Sequence, residues 1–160
     1  MSDNISTVGI IPIRDAVCGT ALKHPLQQSP LVLAYIGDTV YDLFVRASLV
    51  CSTDNTAHAL HMLATKYVRA SAQSYAYRAI EDMLTDDEKY IFRRGRNAHP
   101  ATVPKNADVG DYRTATGFEA LLGYLYLSCE NERLCEIAQR AIKCIEESMK
   151  GGEKNGLRKQ

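Results

Sequence analysis

The stretch Leu31-Val32-Leu33-Ala34-Tyr35-Ile36-Gly37-Asp38-Thr39-Val40-Tyr41-Asp42-Leu43-Phe44-Val45 is apolar on almost every face of a helix, yet it carries a carboxylate at its middle. A second stretch has the same character: Thr116-Gly117-Phe118-Glu119-Ala120-Leu121-Leu122-Gly123-Tyr124-Leu125-Tyr126-Leu127, in which Glu119 is the only charge. A helix apolar all round belongs inside a protein, and a carboxylate taken there needs a partner because its desolvation is costly. Each run also holds a glycine, Gly37 beside Asp38 and Gly123 one turn after Glu119. Glycine in a helix interior costs about 1 kcal/mol relative to alanine. Close approach of another backbone, where no Cβ intervenes, is the usual compensation. The two helices are therefore expected to cross at their glycines and to bring Asp38 and Glu119 together. Asp42 follows Asp38 by four residues and lies on the same face, a candidate auxiliary acid.

Outward from these runs the regular elements of the chain all read as helices. Ser29-Pro30 supplies an N-cap and a proline at the first helical position, predicting a helix over 31–50. Thr53-Asp54-Asn55 is a polar turn, after which Asn55 or Thr56 caps a second helix reaching about residue 79. Its apolar positions Leu60, Leu63, Tyr67, Val68 and Ala72 fall near a helical period. Thr85-Asp86-Asp87-Glu88 has the spacing of a capping box, with acids at the positive end of a helix expected to stop near Gly95. Residues 97–111 hold Pro100, Pro104 and Gly110 without a period and are predicted to be a loop. Asp111 is the expected cap of the Glu119 helix, which should end near Ser128. Asn131 to Met149 forms a last amphipathic helix, with Leu134, Ile137, Ala138, Ala141, Ile142 and Ile145 on one side. No stretch alternates as a strand does. The expectation is an all-α fold of five to six or more helices: an irregular lead-in over 1–28, one domain over 29–150, and a flexible basic tail over 151–160.

At 160 residues the chain has room for one domain with a real core. Nineteen basic and nineteen acidic residues cancel, so any nucleic-acid surface must be a local patch. Five cysteines (Cys18, Cys51, Cys129, Cys135, Cys144), with no CxxC and no Cys/His ligand spacing, argue for reduced thiols rather than zinc or a disulfide framework. Met1-Ser2-Asp3-Asn4 does not open a secretory signal, and no uncharged apolar run reaches the roughly 18 residues of a membrane span. A cytoplasmic protein without a membrane partner is expected.

Converging carboxylates repel unless a proton or a metal ion lies between them. Oxygen donors without histidine or cysteine favour Mg²⁺ or Mn²⁺ over zinc. The other solution is that Asp38 and Glu119 each meet an arginine or a helix end. Arg93-Arg94-Gly95-Arg96-Asn97, continuing through Lys105-Asn106 to Arg113, sets five basic residues against two acids, Asp108 and Asp111. On a proline-containing loop that pattern suits phosphate contacts, although a basic helix end also complements the macrodipole.

Leu33-Ala34-Tyr35-Ile36-Gly37-Asp38-Thr39-Val40 resembles the signature helix of the ribonuclease III family, roughly L-E-F-L-G-D-A-V. Phe118-Glu119-Ala120-Leu121-Leu122-Gly123 is similar to that family's second acidic helix. The closer resemblance is to the Mini-III ribonucleases, the small branch without a separate double-stranded-RNA-binding domain. It rests also on Arg94-Gly95-Arg96-Asn97-Ala98, on Pro104-Lys105-Asn106 and on Tyr112-Arg113, and extends roughly over residues 29–145. The resemblance implies a homodimeric all-helical endoribonuclease that binds divalent metal and cuts double-stranded RNA to 5′-phosphate and 3′-hydroxyl ends. Asp38 and Glu119 fall on the family's catalytic, metal-binding acids, and Tyr35 falls in the dimer interface. Arg93, Arg94, Arg96, Asn97, Lys105, Asn106 and Arg113 are the expected RNA contacts. Family membership also implies maturation of precursor large-subunit (23S) ribosomal RNA, with a ribosomal protein as a further partner. Three acids of the larger enzymes are absent: Ala34, Leu31 and Thr116 stand in their places. That leaves open a non-catalytic RNA- or ribosome-binding protein with the same fold.

Overall fold

The structure is a computed structural model and describes residues 24–99, 105–106 and 108–156, together with Val17, Leu22 and Thr102. Six α-helices form among the described residues: α1 (Pro30–Ser52), α2 (Ala57–Val68), α3 (Ala70–Ile80), α4 (Asp86–Asn97), α5 (Val109–Leu127) and α6 (Asn131–Gly156). Short 3-10 turns occupy Pro25–Gln27 and Glu81–Met83. The expected all-α class holds, with no strand among these residues. None of their helices is long and apolar enough to cross a membrane.

Helix α5 is the axis of the domain. From Ala115 to Tyr126 most of its side chains are buried, and α1, α3, α4 and α6 all pack on it. This is the physical consequence of a run apolar on every face: each face needs a neighbour. Tyr41 of α1 meets Phe118 edge to face at 5.2 Å, and Ile137, Ala141 and Ile145 close the core from α6.

The capping box forms as read. The Thr85 side chain accepts from the Glu88 N–H at 3.2 Å, and Glu88 Oε2 accepts from the Thr85 N–H at 2.8 Å. Glu88 does more than cap, because it is also buried. Arg133 of α6 donates to both its oxygens, at 2.8 and 2.9 Å. Burial pushes the Glu88 carboxyl up, but the Arg133 and Thr85 hydrogen bonds outweigh it and hold the group below its usual range.

Four boundaries differ from the sequence reading. The predicted helix over 56–79 is two helices, broken at Arg69 by extended backbone (φ −61°, ψ 148°). The break lets α2 pack on α1 while α3 packs on α5, and both halves keep an apolar stripe, so periodicity alone misses it. Helix α4 runs through Gly95 to Asn97, because Gly95 is a packing glycine and not a stop. A Cβ there would lie 2.9 Å from the Gly117 Cα and 3.0 Å from the Thr116 carbonyl oxygen. The cap of α5 is Asp108, whose Oδ1 accepts from the Asp111 N–H at 2.9 Å; Asp111 is the residue that is capped. Helix α6 continues past residue 151 to Gly156, there being no proline to stop it. Residues 157–160, and most of the 1–28 lead-in, lie outside the described residues.

Candidate active site

Helices α1 and α5 cross at their glycines. A Cβ built on Gly37 would fall 1.7 Å from the Glu119 carbonyl oxygen and 2.8 Å from the Gly123 nitrogen. One built on Gly123 would fall 1.9 Å from the Leu33 carbonyl oxygen. No side chain of any size fits between these backbones. The crossing fixes the acids' positions: Asp38 follows the contact glycine of α1, and Glu119 supplies the carbonyl that Gly37 touches. Asp38 is exposed and Glu119 partly buried.

The Glu119 carboxyl is pushed up to about 7: burial raises it most, a hydrogen bond from Gln73 lowers it, and the charge of Asp38 raises it. Asp38 is itself raised, first by burial and then by the Asp42 charge. The Asp38 charge thus acts on Glu119, and a cation beside the two acids would favour the charged form of both.

Gln73 was not singled out by sequence. It projects from α3 with 1% of its surface exposed. Its Nε2 donates to Glu119 Oε1 at 2.9 Å and to the Val68 carbonyl oxygen at 2.8 Å. The amide therefore holds one carboxylate oxygen and leaves the other to turn toward a ligand. The available signal was position: Gln73, Tyr77 and Ile80 share one face of α3, which makes a polar residue there a buried one.

Asp42 is engaged elsewhere. Its Oδ2 accepts from Arg46 Nε at 2.6 Å, an i,i+4 pair on the surface of α1, so its influence on Asp38 is by charge alone. Among the described residues no group of three or more His, Cys, Asp or Glu side chains converges as metal ligands; the pair Asp38 and Glu119 stands without a third acid. Thr116 spends its hydroxyl on the Tyr112 carbonyl oxygen at 3.0 Å, Ala34 is buried apolar surface and Leu31 faces outward. A two-carboxylate set fits Mg²⁺ or Mn²⁺, which keep several waters and complete their shell with substrate phosphate oxygens.

The basic residues divide. Arg94 donates Nη1 to the Leu26 carbonyl oxygen and Nη2 to that of Gln28 at 3.0 Å, tying the 3-10 turn before α1 to α4. Its guanidinium also lies 5.6 Å over the Tyr90 ring. Arg93, Arg96, Asn97, Lys105, Asn106 and Arg113 are exposed. On the outer face of α1, Tyr35 is 80% exposed beside Val32 at 50%.

The model of the Ribonuclease III domain family matches residues 31–130, a span that includes both helices of this crossing. A Mini-ribonuclease 3 of Thermoanaerobacter sp. is 50% identical, covering 76% of this chain and 86% of its own length. One from Clostridium tetani is 47% identical over 81% of this chain and 87% of its own. The X-ray crystal structure of a Fusobacterium nucleatum protein superposes with a TM-score of 0.68 at 30% identity, over 76% of this chain and 98% of that one. The chain belongs to the Mini-ribonuclease 3 branch of the ribonuclease III family and is an endoribonuclease.

Proposed function

We propose that this protein is a divalent-metal-dependent endonuclease for double-stranded RNA, acting in the cytoplasm as a homodimer on precursor large-subunit ribosomal RNA, with a ribosomal protein as a further partner. The observation that carries the metal-dependent chemistry is the Asp38–Glu119 pair, set by the Gly37/Gly123 crossing and raised toward neutrality. The ribosomal substrate and the protein partner rest on family resemblance. Asp38 and Glu119 are the residues that would hold Mg²⁺, which when bound would supply an acidified water and neutralise charge on the phosphate.

The chain's own groups prepare that position. Glu119 gives up its proton near neutral pH to become a ligand, and Gln73 fixes the carboxylate's rotamer so that little ordering remains to be done on binding. Asp38, exposed at the end of the contact, faces the solvent side from which a phosphodiester approaches. Tyr35 and Val32 form the apolar face against which a second copy would pack, giving two sites for the two strands. Duplex RNA is gripped through phosphate and 2′-hydroxyl contacts, which exposed Arg93, Arg96, Asn97, Lys105, Asn106 and Arg113 are able to make.

Incubating the purified chain with long duplex RNA tests this reading. Cutting is expected in Mg²⁺ and not in EDTA, with 5′-phosphate ends and with single-stranded RNA of the same sequence spared. Duplex binding with no metal-dependent cutting, on long duplexes and on structured ribosomal precursor alike, would favour the non-catalytic reading. Gln73→Leu adds a finer expectation: removing the amide that orients Glu119 should raise the Mg²⁺ concentration needed for half-maximal cutting by about 10- to 100-fold. An unchanged Mg²⁺ titration would show that Gln73 serves packing alone.

A further inference from the structure

Helices α3, α4 and α5 enclose an open cleft of about 440 Å³. Its floor is the parallel stack of Tyr77 on Phe92, ring centroids 3.6 Å apart and planes within 4°. Four cations stand around it, Arg78 from α3 and Lys89, Arg93 and Arg96 from α4, against one carboxylate, Glu81. Among the described residues none of the four is in an ion pair, whereas Arg46 and Arg133 are both paired.

A helix-end preference does not account for this grouping. Arg93 and Arg96 lie in or near the last turn of α4, where the macrodipole welcomes cations. Lys89 lies near its acidic N-terminus, where the macrodipole opposes a cation. Cations gathered from two helices onto one cavity repel each other until an anion enters.

Along the helix axes the cleft lies one to two turns from the acid pair. Tyr77 follows Gln73 by one turn on the same face of α3, a step of about 6 Å, and Gln73 holds Glu119. On α5 the lining residue is Thr114, five positions before Glu119. With an axial rise on the order of 3 Å per nucleotide in a nucleic-acid duplex, that offset is a few nucleotides.

We propose that this cleft is a phosphate subsite, in which Arg78 and Lys89 together with Arg93 and Arg96 hold the RNA backbone a few nucleotides from the bond that is cut. The assignment rests on the duplex-RNA reading and adds Arg78 and Lys89 to it. Free phosphate offers the same chemistry, so inorganic phosphate is included as a probe.

The test uses the full chain with Arg78→Gln, Lys89→Gln and the double variant, and with Arg140→Gln, an exposed α6 arginine outside the cleft, as a charge control. Duplex binding is read as log K against log salt, and cleavage as kcat and KM. Each lost phosphate contact should reduce the salt slope by somewhat less than one, as the values of about 0.7 for single strands and about 0.9 for B-DNA indicate, so the double variant should lose between one and two. Its KM should rise at least tenfold with kcat little changed, while Arg140→Gln matches the wild type. Arg78→Lys with Lys89→Arg, which keeps both charges, should restore the slope and separates lost charge from a disturbed fold. Competition by millimolar inorganic phosphate alone, with an unchanged RNA slope in the double variant, would make the cleft a small-anion site and overturn the assignment. Wild-type slope and KM in the double variant would also overturn it while leaving the endonuclease intact. A wild-type chain that neither binds nor cuts duplex RNA would overturn both.

Discussion

Gly37→Ala is expected to destabilise the protein by about 3 kcal/mol or more, and Gly123→Ala by a similar amount. In an exposed helix the same change gains up to about 1 kcal/mol from propensity. Here the added methyl would sit 1.7 Å from the Glu119 carbonyl oxygen, or 1.9 Å from that of Leu33. Those obstacles are backbone, so no rotamer change relieves them; α1 and α5 must separate. Overpacking a core costs roughly 1–3 kcal/mol even where side chains are able to adjust, and the α1–α5 contact carries much of this core. Urea denaturation of both variants beside Gly151→Ala makes the comparison. A Cβ on Gly151 meets nothing within 4 Å, so that variant should be unchanged or slightly more stable. Gly37→Ala with wild-type stability would mean that the helices do not touch as described. Any folded remnant should also cut poorly, since separating the helices moves Asp38 away from Glu119.

Glu119→Gln should abolish activity while stabilising the metal-free protein. The loss of cutting should be at least a hundred- to a thousandfold, on the order of removing one preorganised electrostatic contact to a transition state. The gain in stability follows from linkage. The carboxyl titrates at about 7 when folded against an ordinary value of 4.5. The folded state therefore holds the proton more tightly, and stability falls as pH rises from 4.5 through 7. The full penalty, at most about 3–4 kcal/mol at 1.36 kcal/mol per unit, is present above pH 7. Glutamine has no such penalty and keeps an oxygen for the Gln73 amide. In EDTA at pH 8 the variant should melt higher than the wild type, and at pH 4 the difference should vanish. Mg²⁺ should raise the wild-type Tm at pH 8 and leave the variant's unchanged. Equal melting of the two proteins at pH 8 without metal would remove the strained carboxylate from the account.

The crossing and its acid pair were legible in sequence because both signals are local. A glycine inside an apolar helix and a lone charge in the same run each carry a cost that only a tertiary contact offsets. The capping box at Thr85 was legible for the same reason. Gln73 was not, because its role depends on Glu119, 46 positions away, and its own neighbourhood reads as an ordinary amphipathic helix. Glu88 was read as a cap, and its burial against Arg133 depends on a helix far along the chain. The arginines show the limit most plainly. Arg93 and Arg94 are adjacent in sequence, yet about 100° apart around α4; one lines the cleft and the other clamps the turn before α1. A count of basic residues does not distinguish them, whereas the helix facing does.

The most direct measurement is Mn²⁺ binding at pH 8, followed by the loss of the free-ion electron paramagnetic resonance signal, in the wild type and in Asp38→Asn. Saturable binding by the wild type that is lost or weakened at least tenfold in Asp38→Asn is the predicted result. Equal binding by the two proteins would place the ion elsewhere and contradict the role given to the Asp38–Glu119 pair.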